Sequence, residues 1–231
     1  MDNIDLSVVL PAYEEEENLQ IIIPQIREVL IDLNIQFEII IIDTLYSLDN
    51  TKEVCIKNNC KYYNRENSNN FGDAVKTGIK KSLGTYIIFM DADGSHEPSF
   101  IRELYSNLNK NDVIVASRYI NKGGTENIFI LIMMSRILNI IYSLILNIPC
   151  KDISNSFKLY KKDQLTKLQL KCTNFDIIEE ILFKLYNQNR NLKIKEIPFV
   201  FRKRNYGKTK RNLFLFILSF AKTIIKLRFN L

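Results

Sequence analysis

Two aspartates, Asp91 and Asp93, stand one residue apart directly after the apolar run Ile87-Ile88-Phe89-Met90. Carboxylates this close repel unless a positive charge lies beside or between them. A divalent ion such as Mg2+ or Mn2+ removes the repulsion, because it takes oxygen ligands, commonly one or two carboxylates together with substrate phosphates. The same pair also suits a turn or a helix cap ahead of Pro98. Other chemically loaded groups fall at comparable places. Pro11-Ala12-Tyr13-Glu14-Glu15 follows the run Leu6–Leu10, Asp43 follows Glu38–Ile42, and Ser117-Arg118 closes the run that begins at Asp112. His96, the one histidine, sits in the loop after Asp93. That position fits an exposed imidazole as well as a site residue, and it is not read as a general base.

The elements that must position these groups alternate in type. Leu6–Leu10, Glu38–Ile42, Lys61–Tyr63, Tyr86–Met90 and Asp112–Ala116 read as strands, the longest of them continuous β-branched runs suited to burial on both faces. Glu16–Leu33, Thr51–Asn59, Phe71–Leu83 and Pro98–Leu108 have helical periodicity. Alternation of this kind predicts an α/β fold with a mostly parallel sheet, flanked by helices and joined by right-handed crossovers. In an open parallel sheet, ligands bind beyond the carboxyl ends of the strands. The acids and Arg118 therefore converge on one rim. Further along, Asn127–Ile148 is apolar but interrupted by polar residues, Phe175–Asn187 is an amphipathic helix, and Leu192–Val200 is a strand containing Pro198.

Charge is unevenly distributed. The 231 residues carry a net charge of +6, yet Lys193 to Leu231 holds eleven basic residues against the single acid Glu196. A basic ending suits a phosphate, a nucleic acid or an anionic membrane. No recognition helix, zinc pattern or aromatic RNA-binding motif supports nucleic acid. Cys55, Cys60, Cys150 and Cys172 form no CxxC and read as thiols in a reducing compartment. The N-terminus lacks a basic signal-peptide region, and no run of about 18 uninterrupted apolar residues marks a transmembrane helix. The expected location is cytoplasmic. Residues 1–211 read as one catalytic domain, with 127–148 a possible membrane-interface region, and 212–231 as an amphipathic basic tail.

The motifs in order resemble family-two glycosyltransferases of the GT-A (nucleotide-diphospho-sugar transferase) fold. Val9-Leu10-Pro11-Ala12-Tyr13-Glu14-Glu15-Glu16-Glu17-Asn18 is similar to their P-x-Y-N-E-x-x-N opening, and Phe89 to Pro98 to their D-x-D segment. Phe71-Gly72-Asp73 and Ala116-Ser117-Arg118-Tyr119 match their glycine-containing helix start and G-S-R-Y segment. Ser135-Arg136 with Asn139, then Asp152-Ile153-Ser154-Asn155-Ser156-Phe157-Lys158, resemble the pattern of dolichol- or polyprenyl-phosphate sugar transferases. Glu196-Ile197-Pro198 and Arg204 to Lys210 are similar to their ending. Three positions depart from the pattern: Glu14 replaces Asn, Thr44 stands after Asp43 where a second Asp is usual, and Leu131 replaces an arginine.

The resemblance implies inverting transfer of a sugar, mannose or glucose, from a nucleoside-diphosphate sugar to a polyprenyl or dolichyl phosphate. Asp91 and Asp93 hold Mg2+ or Mn2+ in that reading. Pro11, Tyr13, Glu15, Asp43 and Ala92 form the donor site, with Asp43 meeting the base. Arg118 and Arg204 balance phosphate charge, Lys210 adds to them, and Ser135 and Arg136 meet the acceptor phosphate, with Lys122 as another cation that could replace the missing arginine. Asn127–Ile148 and Asn212–Phe229 lie on the cytoplasmic face of a membrane as interfacial helices. A surface glycan as acceptor, or a catalytically silent nucleotide-sugar-binding protein, are the competing expectations.

Overall fold

The computed structural model describes residues 4–207 and 213–229. Along the chain run β1 (Leu6–Pro11), α1 (Glu16–Asp32), β2 (Phe37–Asp43), α2 (Thr51–Lys57), β3 (Lys61–Asn64), α3 (Phe71–Lys81) and β4 (Tyr86–Phe89). A 3-10 turn at Pro98–Phe100 leads into α4 (Ile101–Ser106), followed by β5 (Val113–Ser117), β6 (Gly124–Thr125) and α5 (Phe129–Leu146). Then come β7 (Lys158–Lys161), α6 (Lys162–Leu165), α7 (Ile177–Gln188), β8 (Ile194–Pro198), β9 (Val200–Phe201) and α8 (Leu213–Phe229).

Among the described residues, seven strands form one sheet in the order β3-β2-β1-β4-β7-β5-β8, and β6 pairs with β9 separately. All pairings in the large sheet are parallel except those of β7, which runs antiparallel to β4 and β5. Alternate residues of each strand feed two cores. Val8, Leu10, Ile39 and Ile41 pack beneath Leu19, Ile22, Ile26 and Leu30 of α1. Val9, Ile40, Ile42 and Ile87 face the opposite layer, built from α3, α5, α7 and α8. This is the mostly parallel, helix-flanked sheet expected of the β-branched runs.

Two elements differ from expectation. β7 was not anticipated, because Lys-Leu-Tyr-Lys is short and bounded by lysines. Lys158 is nevertheless fully buried, its ammonium donating to the carbonyls of Ile153 (2.8 Å) and Asn155. The single strand expected over Leu192–Val200 is two. Pro198 ends β8, and Phe199 turns inward to a buried position before β9 begins. Within the expected basic tail, α8 packs against the rest of the chain. Phe220 and Leu227 of α8 join the core, Tyr142 donates to the Phe220 carbonyl (3.2 Å), and Thr223 donates to Asp176 (2.5 Å). An apolar face at helical spacing finds a partner when one is offered.

α5 is the helix whose environment matters most. It has the length and composition of a membrane-crossing segment although polar residues interrupt it, and only 17% of its 18 residues are buried, which sets it apart from a core helix. Ser135, Asn139, Tyr142 and Leu146 lie on one face; Phe129, Met133, Ile137, Ile140 and Leu144 lie exposed on the other.

At the far end of the sheet from the strand C-termini, the buried carboxylate of Glu38 gathers the turn between α3 and β4. It accepts from Ser7 Oγ (2.5 Å), from the N–H groups of Leu83 (2.5 Å) and Gly84 (3.3 Å), and from Lys61 Nζ (2.6 Å). Gly84 is required there, since a Cβ would come within 2.6 Å of the Ser7 backbone nitrogen. Burial by itself would raise the Glu38 carboxyl, but the bonds from Lys61, Ser7 and Leu83 hold it below its ordinary 4.5. A depressed carboxyl contributes stability that is complete above the unfolded value and is lost as pH falls through the folded one. Glu38→Gln is expected to cost about 2–4 kcal/mol at neutral pH. Urea unfolding checks this, and the gap between variant and wild type is expected to narrow as pH falls below 4.5.

Candidate active site

The parallel register carries the ends of β1, β2, β4 and β5 to one rim, so that Pro11, Asp43, the segment after Phe89, and Ser117 are neighbours. After β1 the chain reverses through Glu14, which takes a left-handed φ of 54°. Glu15 then accepts from Asn18 Nδ2 at 2.6 Å, at the start of α1. Pro11 and Tyr13 are half-buried on this rim, and the Arg65 guanidinium lies over the Tyr13 ring at 5.9 Å.

Asp91 is 29% exposed at its side chain and opens onto the rim. Its Oδ1 accepts from Ser156 Oγ at 2.8 Å, and its backbone N–H donates to His96 Nδ1 at 3.0 Å. That donation leaves His96 Nδ1 an acceptor, so the ring proton resides on Nε2 and points to Asn155 Oδ1, 3.2 Å away. His96 is fully buried, stacked on Phe157 with centroids 4.7 Å apart, and desolvation pushes its pKa down. The loop imidazole is thus a neutral brace for Asp91, neither exposed nor poised as a base. Ala92 is buried between the two acids.

Asp93 accepts from Ser95 Oγ (2.5 Å) and Ser95 N–H (3.0 Å) at Oδ1, and from Arg204 Nη2 (2.8 Å) at Oδ2. Arg204 arrives on a strap that follows β9. Within it the Arg202 N–H donates to the Ser95 carbonyl (3.1 Å) and the Asn205 N–H to the Asp93 carbonyl (2.9 Å), while Tyr206 N–H bonds Asn18 Oδ1 (3.1 Å). Gly94 takes a left-handed φ of 81°, which favours glycine, where the Asn205 side chain of the strap comes close. Mutual repulsion of the aspartates is thereby offset by a cation, as their spacing demanded.

Arg118 is placed on the rim and is engaged there by a carboxylate. Its Nε and Nη2 make a two-pronged pair with buried Asp152 at 2.8 and 2.7 Å, and Nη2 also donates to Ser154 Oγ at 3.0 Å. Burial opposes its charge, but Asp152 more than compensates and raises its pKa. Asp43 sits beneath the rim with no exposed surface, its carboxylate already accepting from Thr44 N–H (2.8 Å) and Tyr62 OH (3.0 Å), and burial pushes its pKa up. Its bonds to Thr44 N–H and to Ser47 Oγ (3.5 Å) tie it to the start of the 44–50 loop. Ser135 and Arg136 lie on α5. The Ser135 carbonyl accepts from Asn139 on the buried face, and Arg136 is exposed. Lys122 is exposed as well. Lys210 falls outside the described residues.

Several residues, quoted in sequence only as parts of motifs or not at all, prove to hold the rim together. Ser156, Asn155, Asp152 and Arg65 act through contacts 34 to 65 positions away, at Asp91, Ala116, Arg118 and Ala12. Glu196, across the sheet on β8, accepts from Ser117 Oγ (2.7 Å) and from the N–H of Asp152 (3.0 Å). The signal in the sequence was the motif resemblance of Asp152 to Lys158 and of Glu196-Ile197-Pro198, which names the residues but not their partners. Asp152→Ala strands a guanidinium that is nearly sealed from water, so a loss of about 3–5 kcal/mol is expected in urea unfolding.

The geometry agrees with comparisons to known proteins. A family model described as glycosyl transferase family 2 matches residues 7–168. The chain is 31% identical over 213 residues to the dolichol-phosphate mannosyltransferase of Pyrococcus furiosus, covering 89% of this chain and 58% of that protein. It thus spans little more than half of that relative's length. It is 28% identical over 258 residues to the dolichyl-phosphate beta-glucosyltransferase of Dictyostelium discoideum, covering 100% of this chain and 76% of that one. It superposes with a TM-score of 0.73 on glucosyl-3-phosphoglycerate synthase from Mycobacterium tuberculosis, crystallised with Mn2+, UDP and glucosyl-3-phosphoglycerate, at 16% identity over 99% of this chain and 81% of that one. The fold is GT-A. With the motif order, the acid pair at the end of β4 and the sheet topology in agreement, the chain belongs to glycosyl transferase family 2.

Proposed function

We propose that this protein transfers a sugar, mannose or glucose, from a nucleoside-diphosphate sugar to a polyprenyl or dolichyl phosphate at the cytoplasmic face of a membrane. The observation that carries the proposal is the rim itself: Asp91 and Asp93 beside Arg204, next to a helix whose outer face is apolar. The names of the Pyrococcus and Dictyostelium relatives support the acceptor and the two sugars.

Asp91 and Asp93 fit a Mg2+ or Mn2+ ion. Both offer hard oxygen donors, and Asp91 Oδ1 is oriented by Ser156 while its carboxylate stays partly open. When bound, such an ion supplies Lewis-acid stabilisation to the departing diphosphate. Arg204 lies where a diphosphate beside Asp93 needs a cation, and its fork suits phosphate oxygens. Pro11, Tyr13 and Glu15 wall the nucleotide side. A lipid phosphate oxygen attacks the anomeric carbon from the face opposite the leaving group. The new C–O bond forms as the old one breaks, the electron pair departs with the nucleoside diphosphate, and the configuration inverts. A sugar hydroxyl needs its proton removed, and both nitrogens of His96 are committed elsewhere. A phosphate monoester with a second pKa near ~6 is already anionic.

The exposed stripe of α5, with Phe129 at 78% and Leu144 at 75% exposure, suits the apolar side of a bilayer interface. Exposed Lys222, Lys226 and Arg228 of α8 add roughly 1 kcal/mol each near anionic headgroups. A soluble acceptor, such as a growing surface glycan, is the second reading, supported by Leu131 at the arginine position.

Two measurements bear on this. Labelled GDP-mannose or UDP-glucose incubated with polyprenyl phosphate and Mn2+ is expected to yield solvent-extractable label, reduced about 10²–10³-fold by Asp91→Asn. Label that stays aqueous, or an undiminished variant, overturns the reaction. The protein is also expected to pellet with anionic vesicles at low salt, less at high salt, and to stay in solution once Phe129 and Leu144 are both changed to Glu. Failure of the wild type to pellet at low salt overturns the membrane assignment.

A further inference from the structure

The buried face of α5 carries a polar side chain that the chemistry above does not use. Asn139 is 1% exposed and lies about a third of a turn around the helix from the centre of the apolar stripe. Its amide is oriented on every side. Oδ1 accepts from Ser154 N–H (2.9 Å), and Nδ2 donates to Ser154 Oγ (2.9 Å) and to the Ser135 carbonyl (2.8 Å). Turning the amide over would set its NH2 against the Ser154 N–H, so this orientation is the one chemistry allows.

Ser154 belongs to a segment with contacts in two directions. Its hydroxyl also accepts from Arg118 Nη2. Asn155 holds His96, which in turn accepts the Asp91 N–H, and Ser156 donates to the Asp91 carboxylate. Residues 152–156 therefore touch α5 on one side and Arg118 and Asp91 on the other. A leucine would fill the buried face of α5 as well as asparagine does. An amide there costs desolvation unless all its bonds are made, and here they are made to the segment that sets the acid pair.

We infer that Asn139 is a positioning residue that makes donor binding depend on what the outer face of α5 rests on. The inference builds on the membrane-surface reading of the proposed function. Burying the apolar stripe in an interface restricts α5. Through Asn139 and Ser154 that restriction reaches Arg118 and Asp91, so part of the ordering that a donor must impose is already in place when it arrives. Coupling between two sites is reciprocal, so a bound donor also strengthens the hold on the surface.

The test uses the full chain and titrates UDP and GDP, each with Mn2+, by calorimetry with and without vesicles of phosphatidylcholine and phosphatidylglycerol. Vesicles are expected to tighten nucleotide binding to the wild type by about five-fold or more. Asn139→Leu and Ser154→Ala are expected to pellet with vesicles as the wild type does but to show no tightening, and Ser154→Thr, which keeps the hydroxyl, to restore it. Should Asn139→Leu fail to fold, Ser154→Ala, which deletes a single oxygen, decides the matter. Tightening that persists in the variants overturns the inference, as does a wild type that pellets with vesicles while its affinity stays unchanged. A wild type that ignores vesicles, or binds neither nucleotide, overturns the proposed function and this inference with it, and the vesicle-free arm tells these cases apart.

Discussion

Arg118 and Asp152 meet in a two-pronged ion pair almost sealed from water. Such a pair repays its desolvation only when geometry is good and the remaining polar atoms are bonded. Here the surroundings meet that condition. The Arg118 N–H also donates to Asp152 (2.8 Å), and Glu196 accepts from the Asp152 N–H while holding Ser117. One carboxylate thus fastens the end of β5 to the segment 152–156, and one glutamate on β8 fastens both to the sheet. These charged bonds hold the loops of the rim together with backbone bonds such as those from Arg202 and Asn205 N–H to the carbonyls of Ser95 and Asp93.

The acid pair shows the same logic in reverse. Asp91 and Asp93 are forced together by sequence, and each is provided with different company. Asp91 has a hydroxyl, a neutral imidazole bonded to its backbone, and open rim. Asp93 has the Ser95 hydroxyl and a guanidinium brought in from more than a hundred residues away. Arg204 reaches it on a strap that passes close to Gly94 and is held at Tyr206 by Asn18 at the start of α1. The strap is therefore bonded both to the start of α1, just after the P-x-Y turn, and to the D-x-D turn, and ties them to each other.

Within this frame α5 is the element with two environments. Its inner face is bonded through Asn139 and packed through Tyr142 and Leu146, and its outer face is apolar and open. A helix so divided is stable as part of the protein while still presenting surface for something else to cover. The divided character also explains why its composition alone was ambiguous: Ser135, Asn139 and Ser143 read as interruptions of an apolar segment, yet they lie toward the protein.

Much of the fold was legible because it rests on local pattern. Continuous β-branched runs, helical periodicity and their alternation dictated the parallel sheet, and the sheet's polarity dictated that Pro11, Asp43, Asp91 and Arg118 share one edge. The acid pair, the basic ending and the apolar segment were also visible as residue types. What needed the tertiary structure was every partnership at long range. β7 depends on a slot between β4 and β5 that no property of Lys-Leu-Tyr-Lys announces. Asp43 reads the same in sequence whether it is open to solvent or, as here, buried and bonded by Tyr62. His96 is a loop histidine by position and a sealed brace by packing, and Arg118 is a cation by type but a committed ion pair by geometry. Spacing along a chain fixes which groups can reach a common edge; desolvation and hydrogen-bond satisfaction, which depend on contacts distant in sequence, decide which of them still face the solvent once there.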